Sequence, residues 1–340
     1  MKNCCEQVKG FEKEEVRLSE DDRADIYGKA KTNRGRLRNG LEKNEDPKPI
    51  GFHTQGSYSM RTMIQDSTGD YDVDDGVYFK RVDLQDANGV DKKAVDAREM
   101  VCKALQDERF NKAPETKKNC VRVYYNEGYH VDVPVYREIQ TKDDSTGAMV
   151  KSYQLASSDW KASDPQQVTK WFKSRNEKLC TDFTANGNNG QFVRAVRLMK
   201  AFARSRNNWR DNVPSGIAIS RLVSDHFKEY VDRDDVAFRE LMKALRDRAD
   251  ESVDHPILNE KIESADNGKV AYLKARLKEN IPHLDILDKA DCSHEDAMTA
   301  WDKVFNTDWF SRQPDPEDEE DLDKKTSGPA VVKGGERRYA

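Results

Sequence analysis

The chain has 340 residues, of which 36% are hydrophobic and 36% charged, and its net charge is −5. This length suits one large domain or two closely packed lobes, and no apolar stretch is long enough to span a membrane. The charged first residues indicate no secretory leader, and six scattered cysteines without a C-x-x-C pair favour neither a disulfide framework nor a structural zinc site. We therefore expect a cytoplasmic protein without a membrane association, and the negative charge disfavours bulk binding of duplex DNA.

The first half of the chain is predicted to mix helices with strands. Residues 10–45 are highly charged with sparse apolar positions, which predicts one or two surface helices ended by Pro47 and Pro49. Alternation and β-forming residues predict strands over 50–55, 71–79, 120–125, 129–136 and 151–156, and helices starting near 58 and spanning 94–105. The turn at 126–128 predicts a hairpin between two of these strands.

After residue 163 the pattern becomes helical. Asp164 and Pro165 form a favourable N-cap and first-turn pair, and helices are predicted over 166–180, 188–206, 215–230, 234–250, 267–279 and 293–306. The acidic, Gly-containing end of the chain is too polar to bury a core. We therefore predict an α+β fold in three parts. Residues 1–160 form N-terminal helices and a mixed sheet, 161–312 a helical lobe, and 313–340 a disordered acidic tail.

Acidic residues on two predicted strands give the strongest chemical signal. Residues i and i+2 of a strand share a face, so Asp72 and Asp74 place two carboxylates side by side. Their repulsion is relieved by a divalent cation, and hard oxygen ligands suit Mg²⁺, which also binds phosphates. Asp132 interrupts an apolar strand, where a carboxylate needs a partner such as the same metal site. Asp75 is expected to face away from Asp74 or to cap the turn at Gly76.

A Gly-Ser turn precedes these acids. Gln55, Gly56 and Ser57 open a predicted helix, where backbone N–H groups and a hydroxyl can bind a phosphate. Taken alone, a D-x-D pair is more often a solvated strand face or a turn. The ordered set of Gly-Ser, D-x-D and one Asp within an apolar strand is more specific, because it brings phosphate and metal ligands to one sheet.

This ordered set resembles the nucleotidyltransferase superfamily with the polymerase-β-type palm. The strings QGSYSMRT, DYDVDDGVYF and YHVDVPVY are similar to those of the bacterial cGAS/DncV-like nucleotidyltransferases of antiphage signalling, over roughly residues 50–310. The resemblance implies synthesis of a cyclic dinucleotide or oligonucleotide from ATP and GTP, with cyclic GMP-AMP the leading product. It also implies two Mg²⁺ ions, for which Mn²⁺ can substitute.

The resemblance further assigns roles to individual residues. Asp72 and Asp74 would hold both metals, Asp132 would hold the ion that activates the hydroxyl, and Ser57 would contact the donor triphosphate. Lys200 and Ser215 would also reach the triphosphate, and Arg122 would contact the acceptor nucleotide. Arg194, Arg197, Lys200 and Arg204 recur every three or four residues and define one helical face, which either binds triphosphates or is a solvated basic face.

Two alternatives to cyclic nucleotide synthesis stay open from the sequence. A single-transfer enzyme acting on RNA, protein or a small molecule would have the same metal site, whereas an inactive nucleotide-binding scaffold would have little reason to keep three repelling carboxylates. In relatives the C-terminus is joined to other molecules by a ubiquitin-transfer-like protein. The end of this chain, Tyr339-Ala340, is either such a conjugation site or a simple disordered tail.

Overall fold

The computed structural model describes residues 1–65, 72–125, 130–183 and 190–315. The helices are α1 (Cys5–Phe11), α2 (Glu20–Lys43), α3 (Gly56–Ser59), α4 (Ala94–Ala104), α5 (Pro165–Leu179), α6 (Gln191–Arg204), α7 (Gly216–His226), α8 (Asp234–Asp247), α9 (Lys269–Asn280) and α10 (His294–Phe305). The strands are β1 (Gly51–Thr54), β2 (Asp72–Lys80), β3 (Glu115–Thr116), β4 (Val121–Tyr124), β5 (His130–Val133), β6 (Val135–Lys142), β7 (Met149–Ala156), β8 (Trp160–Ala162), β9 (Val253–Asp254) and β10 (Lys261–Glu263). The expected α+β class is confirmed.

A mixed sheet of eight strands, β1 to β8, organises the first half of the chain. Its central strand β2 pairs in parallel with β5 and then with β6 in one continuous register, from Asp72 opposite His130 to Lys80 opposite Glu138. The sequence predicts one strand over 129–136, but the structure divides it at Pro134. Because proline lacks an N–H donor, the ladder is interrupted there, while its carbonyl still accepts the Val77 N–H at 2.9 Å.

Two helices cover one face of this sheet. Leu37 and Leu41 of α2 and Val101 of α4 pack with Val77 and Phe79 of β2 in one apolar core. The α2 and α4 backbones meet at Gly40, where any Cβ would overlap the carbonyl of Ala104. The highly charged N-terminal region is thus helical, as expected, but the inner side of α2 is buried in the core instead of lying on the surface.

The second half is predominantly helical and has its own core. Helix α6 runs through its centre, with nearly all of its side chains buried. The start of the chain also belongs to this core, because Phe11 of α1 lies 4.7 Å, between ring centroids, from both Phe305 and Phe310. The boundaries proposed at residues 160 and 312 stay predictions, and most of the predicted tail, together with the 126–128 turn, lies outside the described residues.

Two other expectations for local structure were wrong. The predicted helix starting near 58 ends after one turn at Ser59, and Arg61 takes a left-handed φ of 57°. The region after 163 is not purely helical, because β9 and β10 form a small antiparallel pair. These strands have two and three residues, too short to produce a recognisable alternation. In the described ranges, no helix is both long and apolar enough to cross a membrane.

Candidate active site

The register of two parallel strands brings the predicted aspartates together. Asp74 of β2 lies directly opposite Asp132 of β5, and Asp72 precedes Asp74 by two residues on the same face. The intervening Val73 is fully buried on the other face. Asp75 also faces away, because its carboxylate accepts hydrogen bonds from Arg34 on α2, with an Nε–Oδ2 distance of 2.7 Å. The first of the two expectations for Asp75 therefore describes its position.

Arg122 on the neighbouring strand β4 pairs with two of the three acids. Its Nε and Nη2 donate to the two oxygens of Asp132 at 2.8 and 2.9 Å, and Nη2 lies 3.2 Å from Oδ1 of Asp72. The same Asp72 oxygen is 3.6 Å from Nδ1 of His130. The hydrogen bond to Asp132 raises the pKa of Arg122 above its usual value. Arg122, expected at the acceptor nucleotide, is thus an integral part of the carboxylate cluster.

The surroundings of Asp74 disfavour its charged form. Burial, followed by the charges of Asp132 and Asp72, raises its pKa from 3.8 to about 7, and Arg122 only partly offsets this. In the part of the chain that the structure describes, its carboxylate makes no hydrogen bond or salt bridge of its own. A group of carboxylates with more negative charge than the neighbouring cations neutralise is a suitable set of ligands for a hard divalent cation. The residues present therefore fit the Mg²⁺ site that the sequence predicts.

The Gly-Ser turn packs directly against Asp74. The Gln55 N–H donates to the Asp74 carbonyl at 2.9 Å, and Gly56 has a φ of +63°. Any Cβ at Gly56 would overlap Oδ2 of Asp74, so both the conformation and the space require glycine. The Gln55 amide donates to the hydroxyl of Tyr136 at 2.8 Å. Gln55 thus anchors the turn to the sheet, whereas Ser57 lies on the side of the turn that is open to solvent.

Asp72, Asp74 and the Gly-Ser turn lie along a cleft of about 430 Å³ between the sheet and the helical region. On the sheet side it is lined by Gly56, Ser57, Asp72 and Asp74, and on the helical side by Lys200, Arg204, Gly216 and His255. Ser215 is the N-cap of α7, and its N–H donates to Glu263 at 2.8 Å. The structure therefore places the predicted Lys200 across the cleft from the aspartates, with the residue after Ser215 beside it.

Lys200 is buried, with only 4% of its surface exposed. Its Nζ donates to the carbonyl and the hydroxyl of Thr62, at 3.0 and 2.8 Å. Burial, then the positive charges of Arg204 and Arg197, lower its pKa from 10.5 to about 7. A buried amine held by two neutral acceptors gains from an approaching polyanion, so its position suits a triphosphate contact.

The basic residues of α6 lie in two different surroundings. Arg194 pairs with Asp234, with an Nε–Oδ2 distance of 2.5 Å, and Arg197 pairs with Glu12 at the same distance. Only Lys200 and Arg204 of the four line the cleft. The solvated-face alternative is wrong for this helix, because Arg197 is 1% exposed. Triphosphate binding by this face stays a prediction, and it concerns only Lys200 and Arg204, because the guanidiniums of Arg194 and Arg197 are paired within the protein.

A second group of metal-ligating atoms lies elsewhere. Three such atoms within 4.8 Å of one another occur, among the described residues, at Cys180, Asp182 and Glu229 rather than at the aspartate triad. Each already has a protein partner: the Cys180 sulfur accepts the Phe192 N–H, Asp182 pairs with Arg194, and Glu229 accepts hydrogen bonds from Thr181. The spacing of the cysteines gives no sign of this cluster.

Comparison with known proteins agrees with this geometry. Residues 50–136, which include all three aspartates, match the family model described as the nucleotidyltransferase domain of cyclic GMP-AMP synthase DncV-like proteins. Residues 50–136 form a DncV-like nucleotidyltransferase domain. The predicted family and the polymerase-β-type palm are thereby confirmed, as is the prediction that the protein is a nucleotidyltransferase.

Several solved structures share the fold of this protein over most of its chain. It is similar to a Vibrio cholerae DncV cyclic AMP-GMP synthase in complex with nonhydrolyzable GTP, with a TM-score of 0.69 and 17% identity over 90% of this chain and 96% of that chain. A 3′-deoxy GTP-bound Escherichia coli DncV gives 0.63 and 17% over 86% and 92%. E. coli MS115-1 CdnC with ATP gives 0.60 and 17% over 91% and 98%.

Sequence reasoning missed several residues of the site. Thr62, which holds Lys200, ends the QGSYSMRT string but was given no role there, and His255, which lines the cleft from the β9–β10 connection, has no motif around it. The pairing of Arg122 with Asp132 had a usable signal, because both residues interrupt apolar segments that the sequence predicts to form a hairpin.

Proposed function

We propose that this protein makes a cyclic dinucleotide or oligonucleotide from nucleoside triphosphates. The single observation that carries the proposal is the alignment of Asp74 with Asp132 on parallel strands, with the Gly56 turn closed against Asp74 at the cleft. The relatives support the same reading. One is described as a cyclic AMP-GMP synthase, and that synthase was also solved with the linear intermediate 5′ pppA(3′,5′)pG.

The chain's own residues divide the work of the transfer. Asp72, Asp74 and Asp132 would hold two Mg²⁺ ions, for which Mn²⁺ can substitute. When bound there, they would supply the positive charge that lowers the pKa of the attacking hydroxyl and stabilises the leaving pyrophosphate. Ser57 and Lys200, on opposite sides of the cleft, would position the donor triphosphate. Asp132, at the inner end of the triad, would accept the proton of the attacking ribose hydroxyl on a carboxylate oxygen.

The finer features of the proposal follow from the resemblance. ATP and GTP are the proposed substrates and cyclic GMP-AMP is the proposed product, made in the cytoplasm as a signal in antiphage defence. The purine-nucleotide complexes of the relatives support these substrates. Arg122 would reach the acceptor nucleotide from its position beside Asp132. The C-terminus, outside the described residues, would be the site of action of a ubiquitin-transfer-like protein.

The deciding experiment separates the products formed from each of the four α-labelled NTPs with Mg²⁺ or Mn²⁺, after phosphatase treatment. We expect a phosphatase-resistant product, labelled by ATP and GTP, that is lost in Asp72→Asn/Asp74→Asn. The matched control is Asp21→Asn/Asp83→Asn, which removes the same charge at exposed positions away from the cleft. Only phosphatase-sensitive product, or labelling of an added RNA or protein, would contradict cyclisation and favour single transfer.

A further inference from the structure

A second pocket, lined by arginines, lies next to the active-site cleft. It has a volume of about 220 Å³, and we call it the arginine pocket; its lining residues are Arg17, Leu18, Glu20, Arg23, Arg61, Met63 and Arg197. They come from the segment before α2, the first turn of α2, the segment after α3, and α6. Four guanidiniums from four separate segments therefore converge on one small cavity, and none of them belongs to the catalytic machinery described above.

The pocket has more positive than negative charge. Its lining has four arginines and a single carboxylate, that of Glu20. Arg197 pairs with Glu12 outside the lining, and Arg23 donates to the Tyr58 carbonyl at 3.1 Å. Within the described ranges, the Arg17 side chain makes no hydrogen bond or salt bridge. Burial, and then the neighbouring charge of Arg61, lower the pKa of Arg23.

Glu20 shows which chemistry the pocket accepts. Nη1 of Arg61 lies 2.8 Å from each oxygen of the Glu20 carboxylate, and Nε of Arg23 lies 4.0 Å from one of them. The hydrogen bond from Arg61 lowers the pKa of Glu20 below its usual value, although the Glu20 side chain is 71% exposed. A carboxylate supplies one negative charge and two oxygens to this group. A phosphate-type anion supplies more of both, and guanidiniums bind it with paired hydrogen bonds.

The pocket is connected to the cleft through three consecutive residues. Arg61 lies in the pocket, and its carbonyl accepts a hydrogen bond of 2.7 Å from Arg197. Thr62 holds the ammonium group of Lys200, which lines the cleft, and Met63 lines both cavities. Arg61 also holds a left-handed φ, a conformation that a non-glycine residue keeps only when its surroundings fix it. An anion bound at Arg61 would thus contact the segment that also positions Lys200.

We propose that the arginine pocket is a binding site for a phosphate-type oxyanion, distinct from the catalytic cleft, which Glu20 occupies in the free protein. The incoming anion takes the place of the Glu20 carboxylate at Arg61 and is bound in addition by Arg17. Inorganic phosphate and pyrophosphate share the required chemistry, and their comparison distinguishes a single phosphate from a diphosphate ligand.

The test is calorimetric titration of the full-length protein with phosphate and with pyrophosphate, in EDTA and at constant ionic strength. Arg17→Gln should weaken binding by about tenfold or more, because it removes charge-assisted hydrogen bonds. Glu20→Gln should strengthen binding by about three- to fivefold, because it removes the competing carboxylate. Asp21→Asn, in the same turn as Glu20, and Arg109→Gln, on an exposed side chain, should leave the affinity unchanged.

Opposite changes in two variants cannot both arise from damage to the fold, and circular dichroism of each variant confirms folding. Unchanged affinity in both Arg17→Gln and Glu20→Gln, with loss of binding in Lys200→Ala, would place the anion in the cleft and overturn the proposal. Equal weakening by Arg109→Gln would reduce it to general charge attraction. The assay involves no turnover, so its outcome is independent of whether the protein makes a cyclic nucleotide.

Discussion

Two adjacent aspartates should respond in opposite ways to the loss of their charge. Asp74 belongs to a crowded carboxylate cluster, and its pKa is raised from 3.8 to about 7. Asp75 points to the other face, is 2% exposed, and accepts hydrogen bonds from Arg34 and Thr54. We therefore predict that, without divalent ions at pH 8, Asp74→Asn stabilises the protein and Asp75→Asn destabilises it.

The magnitude follows from the pKa of Asp74. An acid whose pKa is higher in the folded chain binds its proton more tightly there, so the free energy of unfolding falls as pH rises from about 4 to about 7. A rise from 3.8 to about 7 corresponds to an upper limit of about 4 kcal/mol, at about 1.4 kcal/mol per pH unit. Because Asp74 keeps some exposure to solvent and its surroundings can relax, we expect about 1–2 kcal/mol, or about 1.5–3 °C in Tm for a chain of this size.

The assay is thermal unfolding of both variants in EDTA at pH 5 and pH 8, repeated with Mg²⁺. The advantage of Asp74→Asn should be smaller at pH 5 than at pH 8, because the folded wild-type protein then holds a proton on Asp74 more tightly than the unfolded chain does. Mg²⁺ should reduce it at pH 8, because only the intact triad gains stability from bound metal. Asp75→Asn should cost about 2–3 kcal/mol at both pH values, since it leaves Arg34 without its carboxylate. An Asp74→Asn protein that is less stable than the wild type at pH 8 in EDTA would refute this reasoning.

Three further predictions concern the neighbours of the triad. Lys200→Ala should weaken NTP binding by about tenfold or more. In the wild type, the lowered pKa of Lys200 should rise beside the triphosphate, so NTP binding near pH 8 should take up a proton. Calorimetry in buffers of different ionisation enthalpy measures this proton uptake. Gly56→Ala should abolish activity, whereas Gly89→Ala, with a φ of +77° and no atom within 4 Å of its Cβ, should cost only about 1 kcal/mol of stability and leave turnover unchanged. Arg122→Gln should destabilise the protein by about 1–3 kcal/mol in EDTA, by removing the partner of the buried Asp132. Mg²⁺ should narrow that gap in parallel unfolding curves, and a gap that widens would contradict a shared role with the metal.

The triad could be predicted because its signals are local. The two-residue period of a strand puts Asp72 and Asp74 on one face whatever the rest of the fold does. Asp132 was recognisable because a carboxylate between Val131 and Val133 needs a partner. The parallel pairing that aligns Asp132 with Asp74 could not be predicted from the sequence. The family resemblance indicated instead that motifs in this order belong to one site.

The basic face of α6 shows where local signals fail. The spacing of its cations was correct, but their roles depend on residues far along the chain. Arg194 pairs with Asp234, forty residues later, and Arg197 with Glu12, 185 residues earlier. Helical periodicity describes which side chains share a face and contains no information about what packs against that face. Lys200 therefore could be placed at the cleft only through resemblance.

Arg122 lies between these two cases, because its position follows from the apolar residues beside it. Val121 and Val123 are fully buried, so the pleat must turn Arg122 to the opposite face, where Asp132 is its cross-strand partner. A slip of one residue in this pairing would expose both valines and bury the guanidinium, a change that the hydrophobic core opposes strongly. The apolar pattern thus fixes the register, and the register places the Arg122 guanidinium beside the carboxylates. Catalytic placement in this sheet is therefore determined by the core as much as by the charged residues themselves.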